Sequence, residues 1–183
     1  MSSDRQGLIV LLIDTETSGL IDNHTLPLDK QPEVIEYYHV LMDLVTGEVF
    51  DECDLLIKPV TPISDEITRI THITNAMLEG APRFVAGADR IARAIEAAPA
   101  VIAHNLSFDK EMIDIEFERL GRALRWPRLI CSVEQTIHLT GYRLSLMALH
   151  QHLFNEPFPE AHRARNDVQA LARCCAELAR TGA

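Results

Sequence analysis

The chain has 183 residues, 47% of them hydrophobic and 24% charged, with 17 basic against 27 acidic side chains and a net charge of −10. This is one domain's length with enough apolar residues for an ordinary core, and the composition is that of a globular protein rather than a disordered or fibrous one. The acidic balance excludes a protein that coats nucleic acid by bulk attraction, which needs many Lys and Arg contacts to phosphate. It leaves room for an enzyme that grips a few terminal nucleotides through cations.

No apolar run approaches the roughly 20 residues of a membrane span, so no membrane partner is expected. The polar stretch Met1–Gly7 leads straight into a strand-like run and does not read as a signal peptide. It is expected to be a flexible N-terminus on a single domain covering 1–183. The four cysteines, Cys53, Cys131, Cys174 and Cys175, include no Cys-x-x-Cys pair. That argues against a disulfide framework or a cysteine-based zinc site, and for a reducing cytoplasmic location.

In chain order, Leu8 to Ile13 is an unbroken apolar run ending in Asp14. A strand covered on both faces has this pattern, which places it centrally in a sheet. Ile21 to Pro32 reads as a surface loop. Glu33 to Asp43 and Val49 to Lys58, joined across Thr46-Gly47, predict an antiparallel hairpin. Pro62 to Gly80 reads as short turns and a partial helix. Phe84 to Ala97 predicts a helix with Val85, Ala88, Ile91 and Ile95 on its apolar face, stopped by Pro99. Ala100 to Ala103 is a short strand, and Ser107 is the expected N-cap of a helix running to Leu120 and ended by Gly121. Arg128 to Val133 is the fifth strand, Leu144 to Leu153 a helix, and Asn166 to Ala179 the last helix, with Val168, Leu171, Cys175 and Leu178 as its buried stripe. This order predicts an α/β domain, a mixed five-stranded sheet with helices on its faces.

Three segments carry chemistry. In Asp14-Thr15-Glu16-Thr17-Ser18-Gly19-Leu20, a strand's two-residue period points Asp14 and Glu16 to the same face at a strand end, where ligand sites open. Two carboxylates on one face repel unless a cation lies between them, and oxygen ligands suit magnesium or manganese. Ala103-His104-Asn105-Leu106-Ser107-Phe108-Asp109 follows a strand and puts Asp109 in a helix's first turn. The helix dipole alone favours an acid there. In His162-Arg163-Ala164-Arg165-Asn166-Asp167, the spacing does not put His162 and Asp167 on one helical face. His162 is therefore expected in the loop before the helix and Asp167 in its first turn. Singly, each segment also reads as a solvated strand end or an ordinary helix start.

Together, Asp-x-Glu, Ala-His-Asn-x-x-Phe-Asp and His-x-x-x-x-Asp, in this order, resemble the DEDDh family of 3′–5′ exonucleases, which includes the proofreading epsilon subunit of bacterial DNA polymerase III, RNase T and oligoribonuclease. The resemblance runs from Leu8 to the last helix, with echoes in Val34-Ile35-Glu36, Ile70-Thr71-His72-Ile73-Thr74 and Leu144 to Leu149. Ser18 stands where many members have Thr, the Ile21 to Pro32 stretch is longer than in the simplest members, and Cys131-Ser132 replaces a frequent Asp-Thr pair.

The resemblance implies a ribonuclease H-like mixed five-stranded sheet with helices on both faces. It further implies that Asp14, Glu16, Asp109 and Asp167 are ligands for two Mg2+ ions, with Mn2+ able to substitute, and that His162 is the general base. Candidate substrate contacts are Thr15, Thr17, Leu20, His72 and Asn105. The expected substrate is a single-stranded or frayed DNA 3′ end, with RNA ends as the alternative and a DNA polymerase as a candidate partner. An inactive metal-binding interaction module is the rival from another class, and the intact set of four acids and one histidine argues against it. Arg119, Arg122, Arg125 and Arg128 form a basic run that reads either as a solvated surface or as a contact to the trailing strand.

Overall fold

A computed structural model describes residues 7–21, 23–158 and 162–182. The expected flexible N-terminus, apart from Gly7, lies outside these residues. The sheet is made of β1 (Ile9–Thr17), β2 (Val34–Asp43), β3 (Val49–Leu56), β4 (Ala100–Ala103) and β5 (Arg128–Cys131), in the order β3-β2-β1-β4-β5. The β1–β2 and β2–β3 pairs are antiparallel, whereas β1–β4 and β4–β5 are parallel. The helices are α1 (Asp65–Thr71), α2 (Asn75–Glu79), α3 (Phe84–Ala97), α4 (Leu106–Arg119), α5 (Ser132–Thr140), α6 (Leu146–Phe154) and α7 (Ala164–Thr181).

The apolar run at the start of β1 is central because both its faces are covered. Val10 and Leu12 pack into a layer with Leu149 of α6 and Val168, Leu171 and Cys174 of α7. Leu11 and Ile13 pack against Ile91 and Ile95 of α3 and Met112, Ile113 and Phe117 of α4. The predicted mixed five-stranded sheet with helices on both faces is the observed architecture. Among the described residues, no helix is long and apolar enough to cross a membrane, and all four cysteines are free thiols.

The structure corrects several local expectations. β1 runs on past the apolar run and pairs with β2 through Thr17, so that Asp14 and Glu16 lie within the strand, as their two-residue spacing requires. The apolar pattern ends at Ile13 because solvent and carboxylates replace the core, while the backbone ladder continues. β3 ends at Leu56 rather than Lys58, and β5 ends at Cys131, so that Ser132 opens α5, a helix the sequence reading takes partly as strand. The run Leu129-Ile130-Cys131-Ser132-Val133 has strand-like composition; the missed signs were Glu134 in a first turn and Gly141, whose φ of 83° caps the helix.

The N-cap of α4 is Asn105 rather than Ser107, which lies inside the first turn. β4 ends at Ala103 and α4 starts at Leu106, so the turn between them needs a left-handed residue, and Asn105 supplies it with φ 64°. In α3, Phe84 rather than Val85 is buried, and Val85 is exposed. α6 spans Leu146–Phe154 rather than 144–153. α7 begins two residues before and ends two after the predicted Asn166 to Ala179, and its Leu178 is only half-buried.

The predicted surface loop after β1 is built rather than loose. Arg119 of α4 donates to the carbonyls of Leu28, Gln31 and Pro32. The Gln31 amide donates to the carbonyls of Asn23 and Leu26. The loop ends are joined where Ser18 N–H donates to Glu33 O at 2.8 Å and Glu33 N–H to Ser18 Oγ at 2.8 Å.

Candidate active site

β1 delivers the first two acids. Its alternation leaves Asp14 and Glu16 half-buried on one face while Thr15 and Thr17 are buried on the other. Thr15 donates both its N–H and its hydroxyl to Asp109 Oδ1, at 2.9 and 2.8 Å, which docks the first turn of α4 on β1. Thr17 donates its hydroxyl to Gly19 O at 2.7 Å and closes the turn after the strand. The two hydroxyls expected to meet substrate each donate within the protein, Thr15 to a carboxylate and Thr17 to a turn. Leu20, just beyond, is 72% exposed.

α7 delivers the other side. Asp167 sits in its first turn, and its Oδ2 accepts the N–H of His162 at 3.0 Å. His162 is exposed in the segment before the helix, as expected, with a left-handed φ of 67°. That conformation costs a non-glycine residue about 1 kcal/mol or more. One ligand atom each from Glu16, His162 and Asp167 lies within 4.8 Å of the others. His104, the other histidine of the motifs, is tied down: its Nε2 donates to Leu144 O at 3.1 Å, leaving Nδ1 to accept from Ser132 Oγ at 2.8 Å. Burial lowers its pKa and keeps it neutral. Asn105 is exposed, and its Oδ1 accepts from Arg143 at 3.3 Å. His72 is the left-handed cap of α1, with φ 58° and an exposed side chain.

Burial, more than repulsion between neighbouring acids, raises the pKa of all four carboxylates. Burial, then Asp109, Asp167, Glu16 and Glu36, hold Asp14 well above the usual carboxylate range. Burial, with Asp167, Glu36 and Asp109 behind it, pushes Glu16 up to about 8 against a lowering by Arg163. Asp167 is pushed up to about 6, mainly by burial and against the His162 N–H. Asp109, 2% exposed, is raised by burial although Thr15 opposes it. Crowded, desolvated, oxygen-only donors of this kind fit hard divalent cations.

Sequence profiles give the family. The profile described as RNase T, exonuclease, matches residues 11–175. The chain belongs to this exonuclease family. The DNA polymerase III PolC-type of Staphylococcus epidermidis is 30% identical over 164 residues, covering 88% of this chain, and the same polymerase of Staphylococcus aureus is 29% identical over 164 residues. The chain spans only 11% of the length of these relatives. Among solved structures, Exonuclease X in complex with 5′ overhanging duplex DNA is 25% identical, with a TM-score of 0.67, covering 95% of this chain and 93% of that one. The nuclease domain of 3′hExo, a DEDDh family member bound to rAMP, shares the fold at 17% identity, with a TM-score of 0.78 and coverage of 98% and 96%.

In this exonuclease domain the basic run is largely structural. Arg119 staples the loop after β1, Arg122 pairs with Asp89 at 2.8 Å, and Trp126 donates to Asp114 Oδ1 at 2.8 Å. Two residues that the motif reading does not single out as site residues border the acids. These are Glu36, a buried carboxylate in the otherwise apolar start of β2, and Arg163 beside it. The available signal was a lone Glu within Val34-Ile35-Glu36-Tyr37-Tyr38.

The electrostatics predict how pH acts on the exonuclease when metal is removed. Glu16 has an ordinary pKa of 4.5 and a folded one of about 8, and Asp167 goes from 3.8 to about 6. Between these limits the folded protein binds more protons than the unfolded chain, so its stability falls as pH rises. A cation bound at these acids would need them ionised and would displace those protons. With chelator, Tm is expected to fall between about pH 5 and 8, and the rise in Tm on adding Mg2+ to grow over the same window. Thermal melts at several pH values check this; a Mg2+ effect independent of pH would contradict it.

Proposed function

We propose that this domain removes nucleotides one at a time from single-stranded or frayed DNA 3′ ends, releasing nucleoside 5′-monophosphates. The observation that supports the reading best is the convergence of Asp14, Glu16, Asp109 and Asp167 with an exposed His162 beside two of them. Asp14, Glu16, Asp109 and Asp167 would hold two Mg2+ ions, with Mn2+ able to substitute. When bound, such ions make water acidic at neutral pH and neutralise charge on the phosphate and the leaving 3′ oxygen. Asp109 is kept in place by Thr15, and Asp167 is linked to the base segment through the His162 N–H. The His162 imidazole takes the proton from the attacking water, an effect commonly worth about 10² to 10⁴ in rate. Its exposed position lets it reach that water. Leu20, exposed just beyond β1, would wedge against the last base, which favours an unpaired end. Asn105 and His72 are the remaining polar contacts we assign to the substrate.

Direction of attack tests the reading. A strand carrying a 3′ phosphate is expected to resist digestion while a 5′ phosphate makes no difference. Rapid cutting of circular single-stranded DNA would make the protein an endonuclease instead. The PolC-type relatives make a DNA polymerase the proposed partner. An exoribonuclease is the second reading, favoured by the fold shared with a nuclease bound to rAMP and with a 3′-exonuclease that recognises a histone mRNA stem-loop. Parallel digestion of DNA and RNA of one sequence decides between the sugars.

A further inference from the structure

Glu36 lies in β2 directly opposite Glu16 of β1 and is 1% exposed. Its carboxylate is gripped by Arg163, with Nε to Oε1 and Oε2 at 3.1 and 3.2 Å and Nη2 to Oε1 at 2.6 Å. The same carboxylate accepts the N–H of Ala164, the first residue of α7, at 2.8 Å. Arg163 occupies the N-cap position of α7 but makes no side-chain cap bond, so a carboxylate from another element does the capping. The segment 162–164 is therefore held twice, by Glu36 at Arg163 and Ala164 and by Asp167 at the His162 N–H.

A buried ion pair contributes little net stability, because desolvation offsets most of its attraction. What a forked arginine–carboxylate contact adds is geometry. We propose that the Glu36–Arg163 pair is a positioning device for His162, fixing its left-handed backbone to the strand pair that carries Glu16. Arg163 also neutralises a fifth carboxylate beside the four metal-binding acids. The proposal rests on the assignment of His162 as the base.

A double-mutant cycle in single-turnover rate tests it. Arg163→Ala is expected to slow the chemical step by about 10- to 100-fold, the scale of a misplacement near 1 Å. In a His162→Ala background the same change is expected to cost no more than about twofold, because residues acting as a unit are not additive. Mn2+ affinity measured by calorimetry does not fall, since the loss of a cation beside the acids does not weaken cation binding, and guanidinium chloride, against a sodium chloride control, restores part of the rate lost in Arg163→Ala. Should Arg163→Ala not fold, Arg163→Lys keeps the charge without the fork and carries the same cycle. Equal losses in both backgrounds, or a loss of Mn2+ affinity matching the loss of rate, would overturn the positioning role while leaving the base assignment intact. A His162→Ala variant with near-native rate would instead remove the base assignment, and the proposal with it.

Discussion

Asp14→Asn is expected to lower hydrolysis by about 10³-fold or more, because one side chain's share of metal-mediated charge stabilisation is worth several kcal/mol. The same substitution is expected to raise the Tm of the metal-free protein at pH 8. Burial and four neighbouring acids hold the Asp14 carboxyl far above its ordinary range, so ionising it in the fold opposes folding. A neutral amide of the same shape relieves that repulsion, and each kcal/mol relieved moves the Tm of a chain of this size by about 2–4 °C. The gain shrinks as pH falls toward the ordinary Asp value of 3.8, where the unfolded chain also takes up the proton, and disappears with saturating Mg2+, which stabilises the wild-type fold. Activity assays and melts with chelator and with Mg2+ read both effects. An active Asp14→Asn protein, free of contaminating nuclease, would remove Asp14 from the metal site.

His162→Ala is expected to lower the single-turnover rate by about 10² or more while leaving metal and DNA binding in place. The control is His104→Ala. His104 is engaged at both ring nitrogens, by Ser132 and by the Leu144 carbonyl, and ties β4 to α5 and to the segment before α6. Its replacement is expected to cost stability, through a lost buried tie, more than chemical rate. If His104→Ala were the dead variant and His162→Ala retained most of its rate, the two roles would be reversed.

The parts legible in the sequence were those set by local pattern. The run Leu8 to Ile13 announced a central strand because both faces of β1 meet helices. The two-residue period of a strand placed Asp14 and Glu16 on one face, and the spacing of His162 to Asp167 put one in a loop and the other in a first turn. What escaped was set by contacts far apart in the chain. That Thr15 gives both its donors to Asp109, 94 positions away, has no mark in its local pattern. Glu36 reads as a family echo in a strand until Arg163, 127 positions away, is found across it. The N-cap of α4 went to Asn105 because the closeness of β4 demanded a left-handed turn, a requirement of packing rather than of helix-start preference.

The central claim is that this domain hydrolyses nucleic acid from the 3′ end through cations held by its four carboxylates. The most direct measurement is single-turnover digestion of a 5′-end-labelled single-stranded DNA and its RNA counterpart, with Mg2+, with chelator, and with Asp14→Asn protein prepared in parallel. The predicted result is a ladder shortening one nucleotide at a time from the 3′ end, with nucleoside 5′-monophosphates as product, only in the presence of Mg2+ and only with the wild-type protein. Immediate release of label from the 5′ end, internal cuts, or full activity in chelator would contradict it.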